Sequence, residues 1–127
     1  MSIFSDATST ICDLKQLMQE FVSERDWSQF HSPKNLAMSL AIESAEVMEH
    51  FQWLTIDESR SLDEDRKAEV AEEVADVCCY LLAIANEMNI DLAASVEAKM
   101  VKNRAKYPSE HFRGRFGPQD KRKVSGS

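Results

Sequence analysis

Two pairs of carboxylates stand out in a chain of 127 residues: Glu43-Ser-Ala-Glu46 and Glu73-Val-Ala-Asp76, each set three apart inside an apolar stretch. On a helix that spacing projects both members of a pair from one side. At about 100° per residue, Ser39, Glu43, Glu46, His50 and Trp53 line one column, and Glu69, Glu73, Asp76 and Tyr80 line another. If the two helices pack antiparallel, four carboxylates surround one volume. Groups of one sign that share a partly dry site repel one another and have lost hydration, so they cannot all stay ionised without a cation. Oxygen ligands without a cysteine or histidine cluster select Mg2+, with Mn2+ as a possible substitute, over zinc. Magnesium also commonly bridges protein carboxylates to substrate phosphates. Either pair alone is ordinary in an acidic bundle, where such glutamates face solvent. Two pairs, mid-helix and on facing columns, favour a site, whereas Glu49, Glu64, Asp65 and Glu72 read as solvated.

Helices must position these groups. All three glycines (Gly114, Gly117, Gly126) fall in the last segment, so the body has few breakers and no hairpin signal. The first helix is expected from about Ser5 to Arg25, on the recurrence of Ile11, Leu14, Leu17, Met18, Phe21 and Val22. Ser32 and Pro33 then supply an N-cap and a proline at the first helical position, starting a second helix that runs to about Trp53. Leu36, Leu40, Val47 and Phe51 mark one of its faces, and Met38, Ile42 and Ala45 the other, so it should be buried against its own bundle and against a partner subunit. A polar stretch from Thr55 to Leu62 leads to a third helix over about Asp63 to Met88. Asp91 caps a fourth, which stops before Pro108. The expectation is an all-α, four-helix-bundle-type domain over 1–108 that oligomerises through apolar helix faces. Residues 109–127, with Arg113, Arg115, Lys121, Arg122 and Lys123, read as a mobile basic tail.

A formal net charge of -7 argues against a nucleic acid polymer or an anionic membrane as partner, because a field of that sign repels phosphate unless a metal intervenes. Cys12, Cys78 and Cys79 form no disulfide or zinc pattern and read as buried thiols in a reducing cytosol. No run of apolar residues approaches the roughly 20 needed to span a bilayer, and the first residues have no leader pattern. These features predict a cytoplasmic protein.

The same residues, in order, resemble the MazG-like all-α nucleoside triphosphate pyrophosphatases, and within them the dCTP pyrophosphatase branch. The resemblance covers roughly Leu14 to Pro108. Its carriers are Glu-Arg-Asp-Trp-Ser-Gln-Phe-His over 24–31, Pro33 with Asn35-Leu36, Glu43-x-x-Glu46 running into Phe51-Gln52-Trp53, Glu73-x-x-Asp76 with Tyr80, and Lys99-Met-x-x-Asn103-Arg-x-Lys106-Tyr107-Pro108. It implies a homotetramer, a dimer of dimers, that holds magnesium on Glu43, Glu46, Glu73 and Asp76 as its catalytic set. It also implies hydrolysis of a dNTP, dCTP or modified dCTP, to the monophosphate and pyrophosphate in nucleotide pool sanitation. The segment Trp27, Ser28, Gln29, Phe30 and His31, together with Trp53 and Tyr80, would enclose base and sugar, while Lys99 and Asn103 would serve the phosphates. Where the vertebrate members carry a histidine in the first helix, this chain has Met18, a departure that bears on base preference.

Read without the resemblance, Trp27 and Trp53 are equally good core or interface residues, and Lys99 with Asn103 is also an ordinary exposed pair one turn apart. Three other readings share the pattern. One is an all-α pyrophosphatase with another base preference (dUTP, dATP or phosphoribosyl-ATP), and another is a non-catalytic nucleotide-binding or scaffold bundle. The third, a di-iron bundle, needs Glu-x-x-His, whereas Glu46 and His50 stand four apart.

Overall fold

A computed structural model describes residues 2–117, 120 and 121, and it is helical, with no strand among those residues. The chain divides into two compact units, residues 1–90 and 91–127. Arg122 and Lys123 of the expected basic tail lie outside the described residues.

In the first unit, helix α1 spans Ile11–Glu24. It starts at Ile11, the first residue of its apolar pattern, rather than near Ser5, because Thr10 closes a capping box with Asp13. The Asp13 N–H donates to Thr10 Oγ1 at 3.1 Å and the Thr10 N–H to Asp13 Oδ2 at 2.8 Å. Residues 5–9 instead turn on themselves, with the Ser9 N–H donating to the Ser5 carbonyl at 2.8 Å. A single 3₁₀ turn, Ser28–Phe30, follows. Helix α2, Pro33–Glu49, starts as the sequence predicts, on the Ser32 hydroxyl and Pro33. It ends one turn short of Trp53, with His50 as its C-cap and residues 51–53 in turns.

The polar stretch after Trp53 contains one turn of helix, α3, Ile56–Ser59, formed on a second capping box between Thr55 and Glu58. The Thr55 backbone N–H, with its hydroxyl, holds the Glu58 carboxyl below its ordinary range. Helix α4, Glu64–Met88, is capped by Asp63, whose carboxylate accepts from the Arg66 N–H at 2.8 Å. It stops at Asn89, which takes the left-handed conformation (φ 53°) that asparagine tolerates better than most residues, and the Ile90 N–H closes back on the Ala85 carbonyl at 2.9 Å.

Helix α4 is the axis of this unit, packed against α2 and, on another side, against α1. Val22, Leu36, Leu82, Ala83 and Ala85 are its buried apolar residues. Two partly buried hydrogen bonds fasten α1 to the end of α4: Lys15 Nζ donates to the Ile90 carbonyl at 2.8 Å, and Asn86 Nδ2 donates to the Lys15 carbonyl at 2.9 Å. Much apolar surface stays uncovered, including Met38, Ile42 and Met48 on α2 and Val74 and Leu81 on α4. No described helix is long and apolar enough to cross a membrane.

The second unit carries α5, Leu92–Lys106, capped by Asp91, and a one-turn α6, Ser109–Phe112. Residues 109–112, the start of the segment read as a tail, are therefore helical, and the Phe112 ring meets Tyr107 edge-on at 5.3 Å.

Candidate functional site

The antiparallel packing of α2 and α4 brings the two acidic pairs together. Carboxylate oxygens of Glu43, Glu73 and Asp76 all lie within 4.8 Å of one another, close enough to share one ion. Glu43 and Glu73 are half-buried and Asp76 is exposed. Glu46 stands outside this trio but beside two of its members, and it perturbs both. Loss of hydration, then the neighbouring Glu46 carboxyl, then the charges of Asp76 and Glu73 push the Glu43 carboxyl above its ordinary value. For Glu73 the contact with Glu46 comes first, followed by burial and the charges of Glu46 and Asp76, with His50 opposing. Two carboxyl groups can hydrogen-bond only while one keeps a proton, so each of these contacts favours protonation in the absence of a cation.

The cluster has the character of an ion site. Glu43 Oε2 and Glu73 Oε2 are buried and accept no hydrogen bond, an arrangement that costs free energy unless something positive faces them. Three oxygen donors without nitrogen or sulfur suit a hard divalent cation.

Beside the cluster lies a cleft of about 730 Å³ between α1, the Trp27–His31 segment and α4. Asp76 belongs both to the cleft lining and to the carboxylate trio, so the two form one continuous site. Leu14, Leu17, Met18 and Phe21 supply one wall, and Cys79 and Tyr80 part of the other. Trp27 meets Phe21 edge-on at 5.6 Å and His31 at 6.4 Å, which sets three rings at one end. A volume of this size, apolar with a few polar groups, suits a small organic ligand. Of the cysteines expected to be buried, Cys12 and Cys78 are exposed and Cys79 is half-buried in the cleft lining, where burial, then Cys78 and Asp76, raise its thiol above the ordinary value and make it weakly reactive.

Of the residues expected around base and sugar, the structure places Trp27, His31 and Tyr80 in this lining. Ser28, Gln29 and Phe30 form the 3₁₀ turn but do not face the cleft, and Trp53, 87% exposed, lies outside it. Lys99 and Asn103 sit one turn apart on α5 in the second unit. The cleft wall on α1 was not anticipated as a binding surface, because an apolar stripe on a helix reads first as core. The one hint was Met18.

A sequence model of the MazG-like family matches residues 38–115. The chain belongs to the MazG-like family. Among proteins similar to this MazG-like chain is dCTP pyrophosphatase 1 of Rattus norvegicus, 40% identical over 107 residues, which are 83% of this chain and 63% of that protein. The Homo sapiens protein of the same name is 41% identical over 102 residues, 79% of this chain and 60% of that one. The MazG-like chain thus spans less than two thirds of the length of these mammalian relatives. The crystal structure of a pyrophosphatase from Archaeoglobus fulgidus is 42% identical, with a TM-score of 0.74, and the match covers 84% of this chain and 99% of that one.

Proposed function

We propose that this MazG-like chain is a nucleoside triphosphate pyrophosphohydrolase that cleaves a dNTP, dCTP or a modified dCTP, between the α and β phosphates. The observation that carries this reading is Asp76, which places a carboxylate trio at the edge of a nucleoside-sized cleft. The names of the rat and human relatives support the reaction and the substrate, and that of the archaeal protein supports pyrophosphatase activity alone.

Glu43, Glu73 and Asp76 would hold Mg2+, with Mn2+ as a substitute, while Glu46 completes the set of four. When bound, the ion neutralises phosphate charge and polarises the phosphoryl group. The chain's own groups do the rest. Trp27, Phe21 and Tyr80 offer ring faces to the base and sugar, and the apolar wall of α1 excludes water around them. Water attacks the α-phosphorus, the bond to the β-phosphoryl oxygen breaks, and pyrophosphate leaves with the electron pair. Glu46, beside Glu43 and Glu73, or Glu73 itself would take the proton from the attacking water. By the resemblance, Lys99 and Asn103, one turn apart on α5, would serve the phosphates. The uncovered faces of α2 and α4 support a homotetramer, and the chemistry fits nucleotide pool sanitation in the cytoplasm.

The test is a panel of normal and modified dNTPs incubated with protein and magnesium, with pyrophosphate separated from orthophosphate. The monophosphate and pyrophosphate should appear in equal amounts, fastest from a deoxycytidine triphosphate. Release of orthophosphate, or binding without turnover, would replace this reading with another phosphatase or with a nucleotide-binding bundle.

A further inference from the structure

Resting on that function, we propose that Arg66 binds the β- and γ-phosphates of the substrate, the part that leaves as pyrophosphate. Tyr80 and Cys79 line the cleft, Asp76 and Glu73 carry the cluster, and Arg66 lies two turns nearer the N-terminus of the helix than Glu73. At a rise of about 1.5 Å per residue, Arg66 lies roughly 10 Å before Glu73 along the axis, about as far as Tyr80 lies after it. Seven residues make about two turns, so both flank Glu73 on nearly the same face. A nucleotide with its base in the cleft and its α-phosphate at the carboxylates therefore extends its remaining phosphates towards Arg66.

The guanidinium is held where this direction needs it. Arg66 Nη2 donates to the carbonyl of His50, the C-cap of α2, at 3.2 Å. This contact seats the cation on the last turn of the helix that carries Glu43 and Glu46. His50 itself is close enough to Glu73 to favour that carboxylate's charged form. Acidic neighbours are plentiful at the start of α4 (Asp63, Glu64, Asp65, Glu69), yet the one ion pair among the described residues joins Arg25 and Glu24. No carboxylate holds Arg66, whose remaining N–H groups form a fork suited to phosphate oxygens. The need is electrostatic: four acidic side chains and a triphosphate meet in one site, and a second positive group beyond the ion offsets charge on the departing end. Lys99 and Asn103 belong to the other unit, whereas Arg66 comes from the helix that carries Glu73 and Asp76.

The alternative role for Arg66 is structural, as a clasp between α4 and the end of α2, and one set of measurements separates the two. Arg66→Met and Arg66→Lys are compared with the unaltered full chain for KM and kcat on dCTP, for binding of magnesium pyrophosphate by calorimetry, and for binding of dCMP. A phosphate contact predicts that Arg66→Met weakens pyrophosphate binding and raises KM by roughly ten- to a hundredfold, with dCMP affinity unchanged and Arg66→Lys intermediate. Equal losses for dCMP and pyrophosphate, with a lowered melting temperature, would leave only the clasp, and unchanged constants would remove Arg66 from the site. Failure of the unaltered protein to release pyrophosphate from any triphosphate would overturn the proposed function. The calorimetry with inorganic pyrophosphate would still decide Arg66.

Discussion

Glu73 is the most exposed to test of the four carboxylates, since it joins the trio, touches Glu46 and has an oxygen that no protein donor reaches. Glu73→Gln keeps shape and removes charge, so turnover should fall by more than about 100-fold while helical content measured by circular dichroism is retained. Turnover near the unmutated rate would take Glu73 out of the chemistry. Proton binding gives a second check. Glu43 and Glu73 have raised pKa values in the folded chain, so folded protein binds more protons than unfolded protein once pH exceeds the ordinary glutamate value of 4.5. Their contribution to stability is complete below that value and is lost as pH rises through the raised folded pKa. Metal-free protein should melt progressively lower over that rise, magnesium should restore the loss, and Glu43→Gln with Glu73→Gln should flatten it. A magnesium effect of the same size at every pH would contradict this origin. These four carboxylates were legible in the sequence because a spacing of three, twice, inside apolar stretches is a local pattern. The cleft was not, because its walls come from α1, the Trp27–His31 segment and α4, and no local signal distinguishes Leu14 or Phe21 as wall from the same residues as core.

Helix α1 forms one wall of the cleft, and its attachment to α4 depends on Lys15 and Asn86. Asn86→Ala leaves the partly buried Lys15 carbonyl without this donor and should lower stability by about 1–3 kcal/mol in denaturant unfolding. A larger loss is expected inside α2: Leu36, 2% exposed, should cost about 2–5 kcal/mol when cut to alanine. A change below about 0.5 kcal/mol at Leu36 would mean that α2 is not anchored through that face. Helix starts were readable at Ser32, Asp63 and Asp91, where a serine or aspartate supplies the cap. The start of α1 and the end of α2 were misplaced for one reason. No glycine or proline interrupts Ser5–Ser9 or Phe51–Trp53, while the Thr10 capping box and the C-cap at His50 set the boundaries.

Assembly is what the apolar composition leaves open. With Met38 and Ile42 well over half exposed on α2, the subunit carries more uncovered apolar surface than a monomer of its size needs. Light scattering should give four times the chain mass, and Ile42→Glu should reduce it while helicity persists; an unmutated protein that stays monomeric would refute the tetramer. Whatever its assembly, the proposed function rests on one arrangement, a divalent ion between α2 and α4 at the edge of the cleft. The most direct measurement is a crystal grown or soaked with Mn2+ and examined for anomalous scattering. The account predicts a peak bounded by Glu43, Glu73 and Asp76, within coordination distance of their carboxylate oxygens. Carboxylates turned apart towards solvent, with no peak between them at saturating Mn2+, would contradict it.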